Sequence, residues 1–150
     1  MNIIIVGCGK VGETLAAELN LGGNNVTIID RDAAKVKSIA NKLDIMGVIG
    51  NGASRTTQKE AGIDDADMLI AVTGNDELNL LCCIVAKKSA GCRTIARLKN
   101  PEYSTDAPYI KNELGLAMVI NPELAAAKEI ARILNFPSAI KVDIFAKSRV

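Results

Sequence analysis

Three glycines, Gly7, Gly9 and Gly12, constrain this chain more than any other feature, because of what stands on either side of them. Glycines fall at such spacings by chance, so context decides. Before them runs Ile3-Ile4-Ile5-Val6, a continuous apolar stretch of the kind that forms a strand covered on both faces of a parallel sheet. After them Val11, Leu15 and Leu19 recur four apart, as on one face of a helix. An acid, Asp30, closes the next strand pattern, Val26-Thr27-Ile28-Ile29. Strand, glycine turn, helix, strand and acid together predict a dinucleotide-binding unit. In such a unit Gly7 permits the tight turn, Gly9 lets a pyrophosphate approach the backbone, and Gly12 lets helix and strand pack closely. The helix N-terminus adds unpaired N–H groups and partial positive charge.

The alternation continues along the chain. Gly22-Gly23 closes the first helix, and Asp32 caps a second whose apolar face is Val36, Ile39, Ala40 and Leu43. Met46–Ile49 reads as a third strand and Gly50-Asn51-Gly52 as a turn, with a short helix from Ser54 to Gly62. A second half begins with a strand at 68–72 and a helix with Leu78, Leu81, Cys82 and Val85 on one face. A strand at 93–98, a broken helical stretch around Pro108, a strand at 118–120 and a helix at 122–134 complete it. Six strands alternating with helices predict an α/β, Rossmann-like doubly wound parallel sheet over 1–135. From Ile140 to Ile144 apolar residues alternate with Lys141 and Asp143, so 136–150 is expected to be a hinge and the first strand of a second, smaller lobe.

Composition removes several classes of function. Eighteen basic and seventeen acidic residues nearly cancel, and two Tyr, two Phe and no Trp leave no stacking platform, so nucleic acid is not an expected partner. No apolar run approaches the roughly 18 residues of a membrane span, and no basic signal region opens the chain; a soluble, intracellular protein is expected. Cys8, Cys82, Cys83 and Cys92 contain no C-x-x-C and the chain has no His, so they read as buried small residues, with Cys82 and Cys83 on different helix faces. Without His the commonest general acid/base is missing. The Walker lysine motif is absent, and neither Tyr103 nor Tyr109 has a Lys four residues on. Binding without turnover is the expectation; the alternative is the cofactor domain of an NAD-dependent oxidoreductase whose catalytic domain lies elsewhere.

Around the glycine turn the candidate ligand-binding residues are Gly7, Cys8, Gly9, Lys10, Val11, Gly12, Asp30, Arg31, Asn51, Gly52, Ala53, Thr73, Gly74 and Arg97. Asp30 can accept both hydroxyls of an adenosine ribose and would repel a 2′-phosphate, although Arg31 beside it could accommodate one. Lys10 can reach phosphate oxygens as a point charge. Asn51-Gly52-Ala53 and Thr73-Gly74 end strands at the carboxyl edge, where doubly wound sheets bind ligands. Arg97, near the end of the fifth strand, is the best remaining counter-charge for phosphate.

The opening Met-Asn-Ile-Ile-Ile-Val-Gly-Cys-Gly-Lys-Val-Gly resembles that of the TrkA peripheral subunits of Trk potassium-uptake systems. So do Ala61-Gly62-Ile63-Asp64-Asp65-Ala66-Asp67-Met68, Ala71-Val72-Thr73, Asp76-Glu77-x-Asn79, the run from Ala96-Arg97 to Glu102-Tyr103, and Pro122-Glu123. The resemblance implies a regulator-of-conductance (RCK/KTN) N-terminal domain that binds NAD(H), ATP or ADP and gates a membrane potassium-transporter subunit of the TrkH/TrkG type. It further implies a homo-oligomer (a dimer or gating ring), cytoplasmic and peripheral on the inner face of the cell membrane. Asn51 departs from the Asp that many relatives carry. Glu123 matches a position that helps hold a divalent cation in some relatives, while a helix dipole alone would favour a carboxylate there.

Overall fold

Ile3 and Ile5 belong to one apolar cluster and Ile4 and Val6 to another, and all four are buried, so the first strand, β1 (Asn2–Val6), divides the molecule into two layers of core. The computed structural model describes residues 1–135. Its strands and helices alternate: α1 (Lys10–Leu21), β2 (Asn25–Asp30), α2 (Ala33–Leu43), β3 (Met46–Ile49), α3 (Arg55–Glu60), β4 (Met68–Ala71) and α4 (Asp76–Ala90). Then come β5 (Arg93–Arg97), α5 (Pro101–Ser104), α6 (Ala107–Leu114), β6 (Met118–Ile120) and α7 (Pro122–Asn135). The six strands are all parallel, in the order β3-β2-β1-β4-β5-β6. The sheet is built outward one way from β1 to β3 and the other way from β4 to β6. The strand order therefore switches between β1 and β4, which puts the crevice of a doubly wound sheet at their carboxyl ends.

The described chain divides into Met1–Ile120 and a second unit from Asn121 onward, of which α7 is described. In the first unit α1 and α2 cover the Ile3/Ile5 face with Ala16, Val36 and Ile39. The other face takes Ala61 and Ile63, then Cys82, Cys83 and Ala86 of α4. In the second, Asn121 opens α7, its Oδ1 accepting the Leu124 N–H at 3.0 Å, and Arg132 pairs with Glu129. The expected strand at 140–144 and the expected boundary after 135 lie outside the described residues.

Local chemistry explains the element ends. Asp32 accepts the N–H groups of Ala34 and Lys35, and Ser54 accepts that of Thr57, capping α2 and α3. Asn75 does the same for Leu78 at the start of α4. Two expectations about α4 are corrected. Leu81 is 49% exposed, and the buried face is Asp76, Asn79, Cys82, Cys83 and Ala86. Small residues let α4 lie close on the sheet, and its two buried polar groups are hydrogen-bonded, so the inward face is not the most apolar one. Cys82 and Cys83 likewise share one core cluster, both wholly buried, instead of diverging.

Candidate functional site

Each of the first four parallel strands, β1 to β4, ends in a turn at the same carboxyl edge. Gly7 follows β1 with φ +113°, a backbone conformation that favours glycine, and its N–H donates to the Ile29 carbonyl of β2. A Cβ on Gly12 would stand 1.8 Å from the Gly7 carbonyl oxygen, so the helix packs on its own turn only because Gly12 has none. A Cβ on Gly9 would meet nothing within 4 Å: the space beside it is open. Gly9 is the N-cap of α1 without a side-chain cap, so the first-turn N–H groups of Lys10, Val11 and Gly12 face outward with no acceptor within the helix.

Asp30 ends β2 and is tied to the turn. One carboxylate oxygen accepts the Cys8 N–H at 2.8 Å and the other accepts the Asp32 N–H at 2.9 Å. A carboxylate has about four acceptor positions. Two therefore remain for a pair of hydroxyls. After β3, Gly50 donates its N–H to the Asp30 carbonyl, and Asn51 Oδ1 accepts the Ala53 N–H at 3.0 Å, folding the next turn back. Gly52 is a packing glycine: a Cβ there would lie 2.2 Å from Val6 Cγ1.

These turns enclose a slot of about 130 Å³ lined by Gly7, Asp30, Arg31, Asn51, Gly52 and Thr73, with Leu78 of α4 at one side. A second, outer cleft of about 400 Å³ lies between α1 and α2 and is lined by Cys8, Gly9, Lys10, Glu13, Lys35 and Ser38, among others. Glu13 in that cleft pairs with Lys42 at 3.0 Å. The glycine turn thus stands between two hollows, with Lys10 exposed in the outer one and Asp30 in the inner. Burial, and next the Asp30 charge, push the Cys8 thiol up to about 12, so it is no nucleophile; burial holds Cys82 and Cys83 at about 12 as well.

Not every expected residue meets in the slot. Val11 packs its side chain against the core, leaving only its backbone for a ligand. Ala53 packs beside the other core cluster and lines a groove with Val85 of α4. Gly74 sits past Thr73 in an exposed turn. Arg97 ends β5, and β4 lies between β5 and β1, so its Cα stands two strand spacings, about 10 Å, from the glycine turn. Among the described residues no group of three or more His, Cys, Asp or Glu is gathered as a metal ion would require, and Glu123 lies in the first turn of α7. No described helix is long and apolar enough to cross a membrane.

Two buried amides escape a reading of the sequence. Gln58 of α3 is wholly buried and donates to the carbonyls of Gly52 (2.8 Å) and Cys82 (3.0 Å), holding the turn after β3 against α4. Asn79 of α4, equally buried, holds Thr73. Neither lies in a sequence pattern that separates it from a solvated helix face, although Asn79 falls within the string Asp76-Glu77-x-Asn79 that carries the resemblance.

Residues 3–122 match the model of the TrkA-N domain. A Trk system potassium uptake protein TrkA homolog from Archaeoglobus fulgidus is 40% identical over 151 residues, which cover 100% of this chain and 34% of that relative. The chain therefore spans about a third of that protein's length. The solved TrkA-N domain of inner membrane protein ybaL from Escherichia coli has a TM-score of 0.77 at 23% identity, over 89% of this chain and 96% of that one. The GsuK channel bound to NAD gives 0.75 at 24% identity, over 92% of this chain and 24% of that one. GsuK bound to ADP gives 0.72 at 25% identity, over 89% and 33%.

Proposed function

This chain belongs to the TrkA-N domain family, and from that premise we propose that it is the nucleotide-binding part of a regulatory subunit that gates a membrane potassium transporter. The observation that carries the reading is the slot itself: a glycine turn, an acid with two acceptor positions left, and the turns after β3 and β4 gather at one switch point. The ligand is an adenine nucleotide, NAD(H) or ATP/ADP. Its ribose hydroxyls are accepted by Asp30, its base lies against the turn at Gly50-Asn51-Gly52 and Thr73, and its phosphates lie beside Gly9 at the N-terminus of α1, within reach of Lys10. The GsuK forms bound to NAD and to ADP, which share this fold, support that choice. The subunit acts without turnover, as a homo-oligomer at the cytoplasmic face of the membrane, against a transporter of the Trk type.

A thermal-shift panel of NAD, NADH, ATP, ADP and NADP tests the reading. At a concentration 100 times Kd a ligand raises stability by about 2.7 kcal/mol. NAD(H), ATP and ADP are expected to raise the midpoint, and NADP to do so less, since its 2′-phosphate meets the Asp30 charge. No shift with any of the five rejects the proposal.

Gly9→Ala separates ligand space from fold space. Gly9 has φ −76° and an open flank, so the substitution leaves stability unchanged or raises it by up to about 1 kcal/mol. The methyl group occupies the place assigned to pyrophosphate, and ADP affinity is expected to fall tenfold or more, about 1.4 kcal/mol. Calorimetric titration checks this, and undiminished affinity moves the phosphates elsewhere.

Arg97 distinguishes ligands in this reading. ATP and NADH present the same base and ribose, so they differ beyond the second phosphate, where ATP carries compact charge and NADH a bulky nicotinamide riboside. At two strand spacings from the glycine turn, Arg97 serves the far phosphate. Arg97→Ala is expected to cost ATP about 1–2 kcal/mol and NADH clearly less, because the attraction acts close to water. Titrations of both ligands at fixed salt decide it: equal losses assign Arg97 to the shared pyrophosphate.

A further inference from the structure

We propose that Asn79 is a positioning residue for the nucleotide: it fixes Thr73 at the wall of the slot and ties the end of β4 to the end of β5, so that a ligand's hold on Thr73 reaches the loop from Leu98 to Asn100. The inference rests on the reading of the slot as a nucleotide site.

The Asn79 amide is wholly buried and uses its full capacity. Its Oδ1 accepts the Thr73 N–H at 2.8 Å and the Thr73 hydroxyl at 2.6 Å. Its Nδ2 donates to the Thr73 carbonyl at 3.1 Å and to the Arg97 carbonyl at 2.9 Å. Two donors and two lone pairs are all that a carboxamide offers. The Thr73 hydroxyl is turned inward by the same contacts, since its oxygen also accepts the Asn75 N–H at 3.2 Å. Thr73 therefore meets a ligand as a shaped wall, and Asn79 sets where that wall stands.

The second end of the link is equally defined. The β4–β5 ladder ends with Ala71 opposite Ala96, and beyond it Asn79 joins the two strand ends by bonding Thr73 and the Arg97 carbonyl together. One turn earlier on α4, the buried Asp76 accepts the N–H of Lys99 (3.1 Å to each oxygen) and of Asn100 (2.8 Å). The first turn of α4 is thus a knot between the loop that faces the slot and the loop that leaves β5. A buried amide whose duty was only to satisfy the end of β4 would need no bond to Arg97.

Asn79→Asp cuts this link at nearly constant volume. It keeps an oxygen for the Thr73 N–H but presents another to the carbonyls of Thr73 and Arg97, where a donor is required. The test follows amide hydrogen exchange of the full chain with and without ADP, alongside calorimetric titration. In the unaltered protein ADP is expected to slow the amides of Cys8, Thr73, Lys99 and Asn100 together. In Asn79→Asp ADP affinity falls about tenfold, Cys8 is still slowed by saturating ADP, and Lys99 and Asn100 are not. Slowing of Lys99 and Asn100 by ADP in the variant, to the unaltered extent, overturns the proposal. So does an unaltered protein in which ADP slows Cys8 and Thr73 but leaves Lys99 and Asn100 unchanged, a result that needs no folded variant. Absence of both binding heat and slowing at Cys8 in the unaltered protein overturns the nucleotide reading itself, and this inference with it.

Discussion

Gly12→Ala is expected to cost the fold about 3–5 kcal/mol, a large share of the roughly 5–15 kcal/mol that holds a domain of this size together. The reason is distance. The added Cβ would come within 1.8 Å of a main-chain oxygen, that of Gly7, which cannot swing aside as the end of a side chain can. Gly7 is itself fixed, because its N–H is bonded to Ile29 and its own Cβ position is closed by the main chain of Val72 and Thr73 at 2.9–3.0 Å. Relief must come from moving α1 away from the sheet, which opens the packing of Ala16, Val11 and Leu15 against Ile3 and Ile5. Urea unfolding midpoints measure the loss. Gly9→Ala in the same turn is the control, with open space where Gly12 has none. A midpoint for Gly12→Ala equal to that of the unaltered protein contradicts the assignment of Gly12 to packing.

Asp30→Ala is expected to weaken NAD and ATP alike by about 10- to 100-fold, since hydrogen bonds to a charged group contribute about 1.5–3 kcal/mol. The sequence points to the ribose contact alone. The structure adds that the same carboxylate bonds the N–H groups of Cys8 and Asp32, so the alanine variant also loosens the glycine turn from the end of β2. Asp30→Asn separates the two effects. One oxygen remains to accept from the main chain, while the charge and half of the acceptor positions are lost. Part of the stability returns, and the affinity deficit is expected to persist. Titration of both ligands against both variants, with thermal midpoints alongside, reads the division. Unchanged dissociation constants for NAD and ATP in Asp30→Ala would remove Asp30 from the site.

What the sequence discloses follows from how local each signal is. β3 at Met46–Ile49 and β6 at Met118–Ile120 coincide with the expected strands, and Ser54 and Asp32 cap the helices they were expected to cap, because such signals lie within a few residues of the element they set. The inward face of α4 is not legible in that way. Of the expected stripe Leu78, Leu81, Cys82 and Val85 only Cys82 is buried, and burial otherwise goes to Asp76, Asn79, Cys83 and Ala86. The partners of the two polar groups lie 6 to 24 positions away in sequence. A polar residue facing inward is recognisable only when the distant carbonyl or N–H it serves is known. The same applies to Gly52. Its spacing suggests a turn for a ligand, whereas its need to be glycine comes from Val6 of another strand. Asp30 stands between these cases: its place is read from the motif, its two main-chain bonds are not.

The outermost strands of the sheet, β3 and β6, run for only four and three residues. An edge strand exposes unpaired N–H and C=O groups on one side, and a length of six or seven residues is about what is needed to template stacking of like chains. Met46 and Ile49 lie more than 45% exposed on β3, apolar enough to attract a stray strand, but the ladder they could offer closes after two or so bonds. Brevity at the margins thus guards the protein against aggregation without placing a single charge on either edge strand. The four strands between them are each paired on both sides, so only these two short margins are open to such an approach.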